Sequence, residues 1–198
     1  MQITIDKKSG IFISVIAVLL IVIVFLAFNP GRDADGPHSG KHDMGMHEGN
    51  QNISGSDLMF LQMMIPHHEQ AVEMSDLALS KSKNAEILKL AQQIRDAQSA
   101  EIISMKSWLP SSYVGPPVHE MDHGMGGMMS DTEMSALKAA TGSSFDALFI
   151  QGMITHHEGA LHMVMMIQDS NDKKLRALHD NIITTQTAEI EWMKKIKL

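Results

Sequence analysis

The chain carries one histidine motif twice, and this internal repeat restricts the folds that it can adopt. The sequence Met-Ile-Pro-His-His-Glu at 64–69 returns 89 positions later as Met-Ile-Thr-His-His-Glu at 153–158. A second block, Gln-x-x-Glu-Ile-x-x-Met, begins at Gln98 and returns 88 positions later at Gln186. Because the two offsets nearly agree, motif and block belong to one duplicated unit, and we expect a fold with two similar halves.

Both units show the apolar periodicity of helices. Apolar residues recur at alternating three- and four-residue steps, and no period-2 pattern typical of strands appears. The paired histidines of each motif fall inside the broad apolar face of their helix, whereas each second block places a glutamine and a glutamate inside an apolar stripe. We predict an all-α fold in which two helical hairpins, one per unit, pack as a four-helix bundle.

Capping and helix-breaking residues set the expected helix ends. Ser54 is a plausible N-cap, a second helix begins near Asn84 and stops before Pro110, and a capping box starts at Ser130. Gly142 is expected to terminate the short helix that follows this box. The predicted helices cover about 55–82, 84–109, 131–141, 144–168 and 171–197.

The N-terminal part contains an apolar run that predicts a membrane anchor. Residues 11–28 include Ser14 as their only polar member, and a helix of this length spans roughly 27 Å. Lys7 and Lys8 precede the run, which favours an N-terminus inside the cell. A cleaved signal peptide is the alternative, but the run is longer than usual and lacks a small-x-small site. The predicted organisation is a cytoplasmic N-terminus (1–10), a transmembrane anchor (11–28), a His/Met-rich flexible linker (29–55) and a bundle domain (56–198). Within the bundle domain we distinguish repeat 1 (56–109), a His/Met-rich connector (110–130), the short helix (131–141) and repeat 2 (144–197).

Methionine and histidine are unusually frequent, with 18 and 11 of the 198 residues, and cysteine is absent. Thioethers suit Cu(I) and imidazoles suit copper, zinc and iron, so copper, as Cu(I) or Cu(II), is the favoured ion, with iron or zinc as alternatives. Glycine-rich segments in the linker and the connector concentrate these side chains, and glycine lets the backbone wrap around an ion. Their candidate ligands are His42, Met44, Met46, His47, His119, Met121, His123 and Met125.

The bundle itself should hold a second set of candidate ligands. A buried carboxylate needs a cation, a proton or hydrogen-bond donors, and the histidines of the companion helix supply donors unless a metal binds both. A buried polar network without metal therefore remains an alternative, and methionines in the core can serve packing alone. The candidates are Met64, His67, His68 and Glu101 in the first unit, and Met153, His156, His157, His162 and Glu189 in the second.

These motifs resemble those of a family called domain of unknown function 305. The resemblance covers about 55–198 and rests on the Met-Ile-x-His-His motif and the later Gln-x-x-Glu-Ile-x-x-Met block. It implies a ferritin-like helical bundle in an exported or membrane-anchored protein, related to copper-binding proteins of the bacterial envelope. The site residues that it implies are His67, His68, Glu101, His156, His157 and Glu189.

The leading functional prediction is a non-enzymatic protein of the cell membrane that crosses it once. Its C-terminal domain would lie in the periplasm or the extracellular space, where it would sequester copper or deliver it to an envelope copper-handling partner. One alternative is a di-iron or di-manganese carboxylate oxidase, although the only Glu-x-x-His, at 120–123, lies in the connector. Another is a metal-free scaffold or partner-binding bundle. The net charge of −7 argues against a nucleic-acid partner.

Overall fold

The computed structural model describes residues 53–110 and 126–198, and their regular structure is entirely helical. No strand occurs in these two stretches, which confirms the predicted all-α class. The helices are α1 (Gly55–Lys81), α2 (Ala85–Trp108), α3 (Asp131–Ala139), α4 (Gly142–Met163), which continues as a 3₁₀ turn (Val164–Ile167), and α5 (Lys173–Met193).

The helix starts follow the capping residues. Ser54 accepts a hydrogen bond from the Asp57 backbone N–H (3.1 Å), and the Asp57 carboxylate accepts one from the Ser54 N–H (3.0 Å), which completes a capping box. Asn84 caps α2 through the Glu86 N–H, and Ser130 forms a second capping box ahead of α3. These caps agree with the sequence-based prediction.

The junction between α3 and α4 differs from the prediction. The short helix ends at Ala139, and Gly142 is the first residue of α4 instead of the terminator of α3. Thr141 is extended, whereas Gly142 has a φ of +59°. A glycine at this place lets the chain turn from an extended residue into a helix within one step, because it has no Cβ to clash.

The long helices form a bundle of two hairpins. α1 packs against α2, α4 packs against α5, and the two hairpins meet through α1 and α4. The short α3 lies against α4. The first helix of each unit therefore occupies the centre of the assembly, and it is this helix that carries the paired histidines.

The apolar core is divided into two clusters by a band of polar side chains. One cluster surrounds Phe145 and Phe149, and the other surrounds Phe60 and Leu61. Each long helix contributes apolar residues to both clusters, and between them it contributes two polar residues. We call this band the polar layer; it consists of His67, His68, Gln98, Glu101, His156, His157, Gln186 and Glu189.

The predicted membrane anchor lies outside the described residues, as do the cytoplasmic N-terminus and most of the linker and connector. Within 53–110 and 126–198, no helix is both long enough and apolar enough to cross a bilayer.

The end of the connector packs against α4 through glycines. Gly127 has a φ of +88°, and a Cβ on it would lie 2.5 Å from the Thr155 carbonyl oxygen. A Cβ on Gly159 would lie 1.9 Å from the carbonyl oxygen of Gly126. The two backbones approach each other this closely only because neither carries a side chain at the contact.

We expect Gly159→Ala to destabilise the protein by about 1–3 kcal/mol, although alanine is the better helix former by about 1 kcal/mol. The new methyl group would collide with backbone atoms of Gly126, which cannot rotate away. Urea denaturation monitored by circular dichroism measures the change in the free energy of unfolding.

The matched control is Gly55→Ala at the start of α1, where an added Cβ has nothing within 4 Å. That variant should be unchanged or slightly more stable. A Gly159→Ala protein as stable as Gly55→Ala would contradict the close contact.

Candidate metal centre

Four histidine rings lie at the centre of the bundle, completely buried. His67 and His68 come from α1 and His156 and His157 from α4, and each has 0% exposure. The predicted inward orientation of both motifs is therefore confirmed. Met64 and Met153 are also fully buried, one helical turn before the histidines on the same helices.

Each outer histidine of the layer is oriented by a glutamate from the second helix of its own hairpin. The Nε2 of His68 lies 2.7 Å from a carboxylate oxygen of Glu101, and the Nε2 of His157 lies 2.7 Å from one of Glu189. The side chain of Glu101 is 12% exposed and that of Glu189 is 18% exposed, so water reaches the glutamate of each pair but not the histidine. Because an ionised carboxylate only accepts, Nε2 donates in both rings, and in the neutral form of each ring the lone pair is on Nδ1.

The inner histidines meet each other across the interface between the hairpins. The rings of His67 and His156 are tilted by 38° with their centroids 3.7 Å apart. The Nε2 of His156 donates to the backbone carbonyl of His67 (2.8 Å), and that of His67 donates to the carbonyl of Gly126 (3.2 Å). Since both acceptors are carbonyl oxygens, these rings have the same tautomer as the outer pair.

All four Nδ1 atoms lack a hydrogen-bond partner among the described residues, and each carries the lone pair of its ring in the neutral form. Both polar side-chain atoms of Gln98 and the carbonyl oxygen of Gln186 also lack a partner there. A ring that donates one N–H to a carboxylate or a backbone carbonyl and presents its other nitrogen unprotonated is arranged as metal-binding histidines usually are.

Burial keeps the inner imidazoles neutral. It lowers the pKa of His67 from its ordinary value to about 3, with a smaller contribution from the neighbouring His68. The pKa of His156 is also well below its usual range, chiefly because of burial and secondly because of the adjacent His67. Neutral imidazole is the form that binds metal ions, so both rings stay competent as ligands in mildly acidic solution.

The two histidine–glutamate pairs are not identical. The second carboxylate oxygen of Glu101 accepts a hydrogen bond from the Asn181 amide (2.7 Å), which reaches across from α5. Among the described residues, no corresponding donor meets Glu189. Sequence reasoning missed Asn181, because helical periodicity cannot show a contact between different hairpins.

The imidazoles and carboxylates do not converge on one point. Within 53–110 and 126–198, no group of three or more His, Asp and Glu side chains is placed to bind one ion together. Each glutamate contacts its histidine directly, so it orients the ring instead of sharing an ion with it. These contacts are those expected of the buried polar network without metal, which the sequence analysis kept as an alternative. The unpartnered Nδ1 atoms are a further feature that such a network does not require.

The remaining predicted ligands lie elsewhere. His162 is exposed on α4. The motif glutamates, Glu69 and Glu158, also face solvent, and Glu69 forms an ion pair with Lys106 (2.6 Å). The layer thus holds more imidazoles than carboxylates, unlike the carboxylate-rich set expected of a di-iron oxidase. The linker and connector candidates fall outside the described residues: His42, Met44, Met46, His47, His119, Met121, His123 and Met125.

Comparison with known proteins identifies a family and several similar solved structures, some of which contain bound metal. The family model for the domain of unknown function DUF305 matches residues 57–197. A DUF305 protein from Streptomyces coelicolor is similar in structure, with 30% identity and a TM-score of 0.62 over 70% of this chain and 89% of its own. A DUF305 fragment from Deinococcus radiodurans has 27% identity and a TM-score of 0.62 over 72% and 95%. CopM in its Cu(I)-bound form has 34% identity and a TM-score of 0.58 over 70% and 93%, and CopM has also been solved with Cu(II) and with silver. No curated protein matches the chain in sequence.

The metal-free protein should lose stability as the pH falls below about 6.5. Unfolded His67 and His156 take up protons near that pH, whereas folded His67 does so only near pH 3. The unfolded state therefore binds more protons over this range. At pH 5 the cost for His67 is roughly 2 kcal/mol, and His156 adds to it in the same direction. Urea denaturation at pH 7 and pH 5 measures the difference.

Replacing both inner rings with His67→Gln and His156→Gln should flatten this pH dependence, whatever it does to stability at pH 7. Replacement of the exposed histidine, His162→Gln, should leave the dependence unchanged. An equal slope in all three proteins would contradict the burial of neutral imidazoles.

Proposed function

The chain belongs to the DUF305 family, and we propose that it is a copper-binding protein of the cell envelope that uses the polar layer as its principal site. In this proposal the protein is anchored by residues 11–28 and exposes its helical domain outside the cytoplasm. It sequesters copper or delivers it to an envelope partner, and it carries out no reaction of its own.

The observation that carries the proposal is the common orientation of the four buried imidazoles. Each Nε2–H is used by a glutamate or a backbone carbonyl, and each Nδ1 lone pair is unpartnered among the described residues. With Gln98 and Gln186, seven buried polar atoms of the layer lack a partner there. At about 1–3 kcal/mol each, such atoms would cancel the stability of an ordinary domain unless ions or water bind them.

Copper is supported over other ions by the donor types and by the similarity to CopM. Imidazole nitrogens and thioether sulfurs are the neutral donors at hand, and Met64 and Met153 lie one turn from the histidines. Cu(I) accepts few ligands and tolerates thioethers, so it does not require three converging histidine or carboxylate groups. The solved copper complexes of CopM, at about a third identity, favour the same ion for this chain.

The His/Met-rich linker and connector have a supporting role in this proposal. They would collect ions at modest affinity and lose affinity below about pH 6.5 where histidines provide the ligands. The layer would retain copper at lower pH, because burial keeps His67 and His156 neutral.

Titration of the full-length protein with Cu(I), against a coloured competing chelator, tests the proposal. At pH 5 we expect tight binding and a rise in the melting temperature, since a ligand that binds only the folded state stabilises it. The double change His67→Gln and His156→Gln should remove this binding, whereas His162→Gln should retain it. Absence of Cu(I) and Cu(II) binding by the unmodified protein at pH 7 would exclude the proposal.

A second experiment compares Glu101, which contacts His68 in space, with Glu69, which follows His68 in sequence. Glu101→Ala should reduce copper affinity about 10- to 100-fold, because it removes the acceptor that orients His68. Glu69→Ala changes the residue directly after His68 but should have no such effect, because Glu69 is exposed and paired with Lys106. Equal losses in both variants, measured with the same chelator, would contradict the specific role of Glu101 in orienting His68.

A further inference from the structure

One of the two glutamates of the polar layer is held by both hairpins. The carboxylate of Glu101 accepts from the Nε2 of His68 through one oxygen and from the side-chain amide of Asn181 through the other, each at 2.7 Å. His68 and Glu101 belong to the first hairpin, whereas Asn181 comes from α5 of the second. With both oxygens engaged, this carboxylate cannot turn without breaking a hydrogen bond to a charged group, which is stronger than one between neutral groups.

The backbone at Asn181 is fixed by packing. Asn181 directly precedes Ile182, which is fully buried, and its backbone carbonyl accepts a hydrogen bond from the Thr185 hydroxyl (2.8 Å). Asparagine is a poorer helix former than alanine or leucine, yet this one lies in the interior of α5. Its contact with Glu101, and not helix formation, therefore accounts for an amide at this position.

The second unit lacks this contact, although the chain has an amide at the corresponding position. The offset of 88 residues that relates Gln98 to Gln186 also relates Gln93 to Asn181. Gln93 is half-buried, but among the described residues its side chain forms no hydrogen bond with Glu189. In that part of the chain Glu189 is held only by His157, through one oxygen. The two glutamates thus orient their histidines alike but differ in how freely they can move.

From this difference we propose that Asn181 is a positioning residue that makes the two halves of the layer exchange copper at different rates. The first unit retains its ion, and copper enters and leaves through the second. The inference rests on the proposed copper function and assigns each half its part in that function.

The rates differ because of what each glutamate must give up. A carboxylate that turns away from its ring can offer an oxygen to an incoming ion, and it lets the ring reorient. Glu189 does so by breaking one hydrogen bond, whereas Glu101 must also break the one to Asn181. We therefore expect exchange at the first unit to be about 10-fold slower.

Release of Cu(I) from the loaded full-length protein to an excess of a coloured chelator tests the proposal. We expect two phases whose rates differ about 10-fold. Asn181→Ala removes the amide and favours the helix, so the variant should fold, and its slow phase should approach the fast one. The matched control is Gln93→Ala, which removes the amide at the corresponding position and should leave both phases unchanged. Release in a single phase by the unmodified protein, or equal effects of the two substitutions, would overturn the proposal.

Combination with Glu101→Ala separates this role from a general contribution of Asn181 to the contact between the hairpins. If Asn181 acts through Glu101, Asn181→Ala should change the release rates no further in the Glu101→Ala protein. An effect of the same size in both backgrounds would contradict the role assigned to Asn181.

Proton exchange in the copper-free protein gives a measurement that does not depend on copper. With ¹⁵N-labelled histidine, the Nε2–H signals of His68 and His157 are identified by their loss in His68→Gln and His157→Gln. The His68 proton should exchange with water several-fold more slowly than the His157 proton, and Asn181→Ala, but not Gln93→Ala, should remove the difference.

The exchange rates distinguish failure of this inference from failure of the copper function. Equal exchange of the two protons in the unmodified protein would overturn the role of Asn181, whether or not copper binds. Unequal exchange in a protein that does not bind copper would support the hold of Asn181 on Glu101 and overturn the copper function.

Discussion

The structure depends on a polar layer that crosses the entire core between two apolar clusters. A helical bundle gains its stability from burying apolar side chains, and here each long helix interrupts that burial with two polar residues. Hydrogen bonds from Nε2 to Glu101, Glu189 and two backbone carbonyls offset part of the cost. Because Nε2 is the bonded nitrogen in all four rings, Nδ1 is the nitrogen left for an ion in each of them. The contacts that pack the layer therefore also determine which ring nitrogen can bind an ion.

Sequence periodicity predicted much of this arrangement, because the position of a residue in a helix determines the face on which it lies. It correctly placed the four histidines and both glutamates of the layer inward and predicted the helices to within a few residues. It could not show that Glu101 and Glu189 would orient imidazoles directly, nor that Asn181 and Gly126 would join the layer. Those contacts depend on how helices are displaced along one another, and periodicity within a single helix contains no such information.

The glycines near the layer allow close contacts, and at Gly127, Gly152 and Gly159 a side chain would collide with the group packed there. Gly126, Gly127 and Gly159 bring the connector into backbone contact with α4, where the Gly126 carbonyl can accept from His67. Gly152 provides space for Met129 and Met74. The ring orientation at the centre and the packing of Met129 against α4 are thus linked by one short backbone segment.

The contact between His67 and His156 has a consequence for how such a protein can be assembled. One hairpin alone would expose its innermost ring and the apolar face beside it, and it would be complete only as a twofold-symmetric dimer with the two rings meeting at the axis. Symmetry would then impose identical surroundings on both halves. Joining the halves in a single polypeptide lifts that constraint, and the amide that reaches Glu101 but has no equivalent at Glu189 among the described residues shows the freedom gained.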